Sequence, residues 1–369
     1  MSSWFPTRID EYSGNFVERF AYLLADRFEV TVVHTMSDPR CKNIEVDERF
    51  QDGVRTIRVY HPKKKIVALK WWVQRKALNK AFDLIDHVDL IFAHVFLPRA
   101  HQFSKAQHHF NCPMILLEHG SYFRQKPKKM LNPFQKRHIR KASRNCRVVA
   151  AVSEVLKKDM QGILPTTKIQ VLPNFVDPDV FTLRATNPTE RKKFIHISTL
   201  DNATKNIDTL FDGFLNAYLA SNKTISLTIV SDQPTDELQK WARLNRCEAG
   251  FRFVGPSSSQ EIAKLIQEHD ALLVTSAYET FGIVIAEAWM TGTPVVSTSV
   301  GIATQMPAFL GVQIETNSIV DYKQALLSLA AGNFQYDSIA IRNHAMQFSR
   351  NQVLNILVEL FEQHFEVDE

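Results

Sequence analysis

Short aliphatic runs separated by longer segments of helical period recur along this chain, and that alternation limits its possible folds more than any other feature. "FEVTVVHT" (28–35), "VDLIFAHV" (88–95), "PMILLEHG" (113–120) and "CRVVAAVS" (146–153) have the length and branched aliphatic content of strands buried on both faces. Between the strands, "GNFVERFAYLLADRF" sets Phe16, Phe20, Leu23 and Leu24 on one helical face. The pattern restarts after a stretch rich in Pro, Asn and charge, with "FIHIST" (194–199), "ISLTIVS" (225–231), "FRFVG" (251–255), "ALLVTS" (271–276) and "PVVSTS" (294–299). Such alternation predicts an α/β protein with parallel sheets between helices.

A length of 369 residues exceeds what one core serves, since cores stop growing near about 250–300 residues. The restart and the prolines place a boundary near residues 178–192, giving doubly wound, Rossmann-like domains at 1–180 and 181–369 with a cleft between them. "NQVLNILVELFEQHF" predicts a closing helix over about residues 350–365, packed back toward the first domain. In open parallel sheets ligands sit beyond the carboxyl ends of the strands, so the site is sought in loops that follow strands.

"ETFGIVIAEA" holds two such candidates. Glu279 falls in the loop after "ALLVTS", and Glu287 falls in a helix whose other positions are nearly all apolar. A buried carboxylate needs a partner or shifts its pKa until it is neutral. Glu287 is met either by a lysine or amide inside the fold or by the hydroxyls of a ligand such as a ribose. Thr280, Phe281, Gly282 and Ile283 are expected to open the helix, with free N–H groups that suit a diphosphate.

At this point the residues carry a resemblance. "ETFGIVIAEAWMTGTPVVSTSVG" resembles the E-x7-E signature of retaining glycosyltransferases with the GT-B fold, family 4. "WFP" with "SGNFVERFA", "EHG" (118–120), "AVSEVLKKDM" (151–160), "KIQVLPNFVDPDVF" (168–181) and "ISTLDNATKNIDTLFDGF" (197–214) resemble further motifs of that family in the same order. The resemblance implies transfer of a sugar from a nucleotide diphosphate to an acceptor hydroxyl, with retention of configuration. It implies no cofactor and no metal, the nucleotide sugar being a substrate.

By the same resemblance Lys205 meets the leaving diphosphate, Glu279 faces the donor sugar and Glu287 holds the ribose. Phe281 and Gly282 let the backbone approach the sugar, His119 contacts it from the first domain, and Gly14 and Asn15 lie against the diphosphate. For Gly14 and Asn15 a plain helix start capped by Ser13 is the competing reading. Base recognition falls to backbone near "FVGPSS" (253–258), including Val254. Two departures stand out. The arginine that relatives carry ahead of the lysine is replaced by Thr199 in the segment Ser198, Thr199, Leu200, and the first strand is clipped to Met1 and Ser2 ahead of "SWFP".

Charge is unevenly spread. Residues 1–178 hold 30 Lys+Arg against 17 Asp+Glu, whereas residues 179–369 hold 14 against 22. "HPKKKIVALKWWVQRKALNK" (61–80) and "FRQKPKKMLNPFQKRHIRKASR" (123–144) interleave basic and aromatic residues. Either these segments meet an anionic membrane surface peripherally, or they form a solvated basic face with Trp71 and Trp72 packed inward. No recognition module for nucleic acid accompanies the charge. Cys41, Cys112, Cys146 and Cys247 are scattered without metal-ligand spacing. The start lacks a leader pattern and no run of about 18 apolar residues occurs, so a cytoplasmic enzyme is expected, peripheral at the inner face of the membrane if the basic segments meet lipid.

The expected role is polysaccharide or glycolipid biosynthesis with a glycan or lipid-linked acceptor. A noncatalytic GT-B subunit binding a partner or glycan, and a GT-B sugar phosphorylase or epimerase, are the alternatives.

Overall fold

The computed structural model describes residues 1–11, 13–124, 131–185 and 192–365. Part of the second basic segment and part of the Pro-rich junction therefore lie outside the described residues. The chain divides into two compact units, one of residues 1–152, 156–172 and 354–369, the other of residues 153–155 and 173–353.

In order, the first unit is built from α1 (Asn15–Leu24), β1 (Val30–Ser37), β2 (Glu45–Gln51), β3 (Val54–His61), α2 (Val67–Phe82) and β4 (Ile91–His94). It continues with α3 (Ala100–Phe110), β5 (Met114–Glu118), α4 (Pro133–Arg144), β6 (Val148–Ala151), α5 (Glu154–Gln161) and β7 (Ile169–Val171). Its strands fall into two sheets, β1-β3-β2 and β4-β5-β6-β7. The second is parallel throughout, as the aliphatic runs predict. In the first, β2 pairs antiparallel with β3 through Asp52 and Gly53, at φ 47° and 77°. Positive φ at both turn residues is the hairpin geometry whose twist suits the flanking strands. Ser2 makes a single parallel bridge to His94, and a cavity of about 490 Å³ lined by Val30, Val32, Ile91, Phe92 and Phe361 lies beside it.

The second unit runs β8 (Lys192–Ile197), α6 (Asn202–Lys205), α7 (Ile207–Ala220), β9 (Ile225–Val230), α8 (Asp236–Leu244), β10 (Phe251–Val254) and α9 (Ser259–Gln267). There follow β11 (Ala271–Val274), α10 (Ile283–Met290), β12 (Val295–Thr298), β13 (Gly311–Ile314), α11 (Ile319–Ala330), α12 (Ser338–Ala345) and α13 (Arg350–Phe365). One parallel sheet in the order β10-β9-β8-β11-β12-β13 holds the unit together. The order reverses between β8 and β11, the switch point at which doubly wound folds open a crevice for ligands. Phe194, Leu227 and Leu273 from the strands pack with Leu210, Phe214 and Tyr322 from α7 and α11 to make its core.

The last helix, α13, crosses between the units in sequence. From Leu354 onward it belongs to the first, where Phe361 packs on Phe28 and Phe92 with ring centroids 5.6 and 5.2 Å apart.

Candidate functional site

The site of the second unit forms where β8 and β11 end side by side. After β8 the chain turns into α6, whose first amides are capped by Asp201, and which stops at Asn206 in the left-handed region. The loop after β11 is tied to α6 at two points. Ala277 N donates to the Thr204 carbonyl at 2.8 Å, and Thr275 Oγ1 donates to the Lys205 carbonyl at 2.9 Å. These bonds fix Lys205 above Glu279, with Nζ 2.6 Å from Oε1.

Ser276 Oγ donates to the same Oε1 at 2.7 Å. Glu279 is thus met from inside the fold, not left waiting as its apolar neighbours suggest. Its second oxygen accepts no bond from the described residues. The two side chains keep 21% (Lys205) and 16% (Glu279) of their exposure, enough for a ligand to reach both.

Beyond Glu279 the backbone is shaped by two glycines. Gly282 has φ 83° and ψ 61° and caps α10, a conformation that an L side chain strains to adopt. Gly301, at φ 48°, comes so close that an added Cβ would lie 2.2 Å from the Phe281 carbonyl oxygen and 3.2 Å from Glu279 Cβ. The Phe281 ring is buried against Phe348, and its carbonyl accepts from Ile302 N at 2.9 Å. Helix α10 begins at Ile283, so Thr280 to Gly282 lead into it and do not form its first turn as the sequence suggested. The amides of Phe281, Gly282, Ile283 and Val284 have no acceptor among the described residues. Together with the positive helix end they make a cradle for an anion.

Glu287, in the middle of α10, is 6% exposed. Val254 ends β10, two strands away from β8, with its carbonyl accepting from Ser231 N at 3.1 Å. Thr199 follows Ser198, whose hydroxyl bonds to His196 Nε2 at 2.8 Å. Burial pulls the His196 imidazole down to about 4, so it carries no charge near neutral pH.

In the first unit the start of α1, at Gly14 and Asn15, is joined to the loop of His119 through Phe16. Gly14 (φ 75°) caps α1, which corrects the reading of Ser13 as the cap, and a Cβ on it would lie 2.4 Å from the Trp4 carbonyl carbon. Phe16, next to Asn15, packs on the His119 ring with centroids 4.4 Å apart. His119 Nε2 is 3.1 Å from Nδ1 of His94, a contact that the sequence did not signal. The loop is held by Glu118, which accepts from the amides of Phe96, His119 and Gly120 at 3.0, 2.8 and 2.6 Å. Burial raises the Glu118 pKa, against the pull of these bonds and of Tyr122. Among the described residues no group of three His, Cys, Asp or Glu is placed to hold a metal ion.

Trp71 and Trp72 of α2 are 43% and 59% exposed, so the inward-packed reading of that pair is overturned.

Comparison with known proteins gives the family. Residues 13–180 match the model described as Glycosyltransferase Family 4, and residues 191–331 match the model described as Glycosyl transferases group 1. A D-inositol 3-phosphate glycosyltransferase of Corynebacterium aurimucosum is 34% identical over 119 residues, 31% of this chain and 28% of that protein. A glycogen synthase of Mycobacterium tuberculosis is 38% identical over 77 residues, 21% of this chain and 19% of that protein. These curated relatives are therefore matched over less than a third of their length.

Among solved structures, a sucrose-phosphate synthase from Thermosynechococcus elongatus superposes with a TM-score of 0.75 at 17% identity, covering 95% of this chain and 93% of that one. A glycosyltransferase from Rickettsia africae gives 0.71 at 14% identity, covering 92% of this chain and 100% of that one. At such identities the likeness speaks for the fold.

Proposed function

Because this chain belongs to the family 4 glycosyltransferases of the GT-B fold, we propose that it moves a sugar from a nucleotide diphosphate to an acceptor hydroxyl with retention of configuration and without a metal. The observation that carries the reading is the Lys205–Glu279 contact of 2.6 Å beside the open amides at the start of α10.

Cleaving the bond between sugar and diphosphate leaves new negative charge on phosphate, and fixed donors aimed at it lower the barrier. Lys205 Nζ and the amides of Thr280 to Ile283 take that role. The free oxygen of Glu279 accepts a hydroxyl of the donor sugar, Phe281 and Gly282 offer close backbone, and Glu287 binds the ribose. His119 contacts the sugar, Gly14 and Asn15 line the diphosphate, and backbone at Val254 meets the base. With Thr199 in place of the arginine, the amide cradle bears more of the phosphate charge.

The acceptor is a glycan or lipid-linked molecule of polysaccharide or glycolipid assembly, reached at the inner face of the cytoplasmic membrane. Support comes from α2, where Ile66, Val67, Leu69 and Trp72 stand exposed beside Lys63, Lys64, Lys65 and Lys70. Apolar insertion and attraction to anionic lipid add on such a surface. No helix among the described residues is long and apolar enough to cross a membrane.

The test is turnover of a panel of nucleotide sugars, with and without chelator, and NMR assignment of the product anomer. Inverted product, or no binding of any nucleotide sugar, would overturn the reading. Binding without turnover would favour the noncatalytic alternative.

A further inference from the structure

The two sheets of the first unit each stop at an edge strand, β1 in one and β4 in the other. Both edges border the cavity of about 490 Å³, which four successive residues of β1, Val30 to Val33, line together with Ile91 and Phe92 of β4. Successive side chains of a strand point to opposite faces, so a space that meets all four lies against the strand's edge, where backbone N–H and C=O groups stand. The cavity is a slot between two strand edges.

Residues 1–3 already use the β4 wall. Met1 N donates to the Phe92 carbonyl at 2.8 Å, His94 N donates to the Met1 carbonyl at 2.9 Å, and Ser3 N donates to the His94 carbonyl at 3.1 Å. That alternation is a parallel ladder, in agreement with the Ser2–His94 bridge. On the other side of β4, the amides of Ile91 and Val95 donate to the Pro113 and Leu117 carbonyls. Phe92 N therefore turns into the slot, as the next rung a strand would reach ahead of Met1.

The amine of Met1 is the unusual group here. It is buried, and burial alone lowers its pKa to about 5. An ammonium taken out of water without a counter-charge is costly, whereas a peptide N–H at the same place makes the same bond to Phe92 with no charge to desolvate. The amine thus stands where the amide of a continuing strand fits.

Helices close both faces of the slot. Val32 packs with Val17 and Ala21 of α1, and Val33 with Ala77 and Ala81 of α2. A strand covered on both faces is apolar along its length. A hydrocarbon chain would suit these faces yet leave the edge N–H and C=O groups of β1 and β4 without partners, a cost that a peptide avoids. Glu29, Asp86 and Asp89, which border the slot just ahead of β1 and β4, put acid at the end where such a strand enters.

We propose that the slot between β1 and β4 is a strand-binding site, filled by an extended apolar segment that runs parallel to β4 and leads into Met1. The segment is about four residues long, the stretch of β1 that borders the slot, and begins with a basic residue that meets the acid at its entrance. It pairs with both edges and joins the two sheets of the first unit into one. None of this rests on the transferase reading.

The test compares the chain as it stands with one carrying Lys-Lys-Val-Ile-Val-Ile directly ahead of Met1 and one carrying Lys-Lys-Val-Pro-Val-Pro there. Amide exchange read by mass spectrometry is expected to slow about tenfold across residues 30–33 and 91–94 in the Val-Ile chain alone, with a higher melting transition. The proline chain keeps the charge but lacks the donors that a ladder needs. The same two peptides added free to the unmodified chain repeat the comparison if a fusion fails to fold.

Equal protection by the two extensions overturns the proposal, as does exchange at both edges that neither extension changes. So does protection that maps only to residues of the second unit. The source of the strand is read from protein isolated from its own cells, whose first peptide is sequenced by mass spectrometry. Apolar residues running into Met1 support the assignment. A native start at Met1 overturns it, even where the added strand binds.

Discussion

The Lys205 ammonium and the Glu279 carboxylate lie 2.6 Å apart although 74 positions separate them in the chain. With no donor bound, each neutralises the other, and Ser276 shares the load on the same oxygen. On the function proposed above, a nucleotide diphosphate competes for the lysine and releases Glu279 to accept from a sugar hydroxyl, so one displacement prepares two contacts. The groups act as a unit, and their mutational effects should not add.

Lys205→Ala and Glu279→Gln are each expected to lower kcat by about 10²–10³, the range for loss of one fixed donor at developing charge. The double variant should fall well short of the product of the two losses. Steady-state kinetics on all three checks this, and strictly multiplicative effects would contradict the coupling.

Glu287→Gln is expected to raise the donor KM about tenfold, equivalent to about 1.4 kcal/mol of binding, while kcat stays near the parent value. The ribose contact proposed for Glu287 is one that ground and transition states share equally. A fall in kcat at constant KM would remove Glu287 from the binding role.

Gly301→Ala should destabilise the second unit by about 2–4 kcal/mol, because it combines strain with overpacking. The new Cβ has the Phe281 oxygen 2.2 Å away and the residue sits at φ 48°. Chemical denaturation measures the loss, and donor affinity should fall with it because the same shift moves the loop of Glu279 and Phe281.

His196 makes stability depend on pH. Its folded pKa is lowered to about 4 by burial, with Lys205 adding to the effect, against an ordinary value of 6.5. The unfolded chain therefore binds a proton that the folded chain refuses. The contribution is whole above pH 6.5 and is lost as pH falls toward 4, at up to about 1.4 kcal/mol per pH unit. Denaturation at several pH values should show this slope, and His196→Gln should flatten it.

Vesicle sedimentation addresses α2. The parent should pellet with anionic vesicles and remain free with neutral ones. Changing Lys63, Lys64 and Lys65 to Glu should abolish pelleting, and Trp72→Ala should reduce it several-fold. Indifference to lipid charge would end the membrane proposal.

The parallel strands were legible because buried runs such as "ALLVTS" and "FIHIST" carry their own signal in aliphatic content. The β2–β3 hairpin escaped notice although Asp52–Gly53 is a strong local turn signal, because β2 has no buried residue to stand out. Lys205 and Glu279 were each nameable from motif, but their contact was not. It depends on β8 and β11 becoming neighbours, which no local pattern encodes. The exposure of Trp72 was equally hidden, since a tryptophan beside lysines reads the same whether it is packed or bare.

The membership of α13 bears on how the protein can be dissected. A gene fragment ending near residue 172 would encode the strands of the first unit while omitting Leu354 to Phe365. Phe28 and Phe92 would then lose the aromatic lid that Phe361 provides. Such a fragment should be recovered insoluble or molten, and should regain a sharp melting transition when a peptide spanning residues 350–365 is supplied in trans. Independent expression of the halves therefore calls for a circular permutant that brings this last helix ahead of Met1.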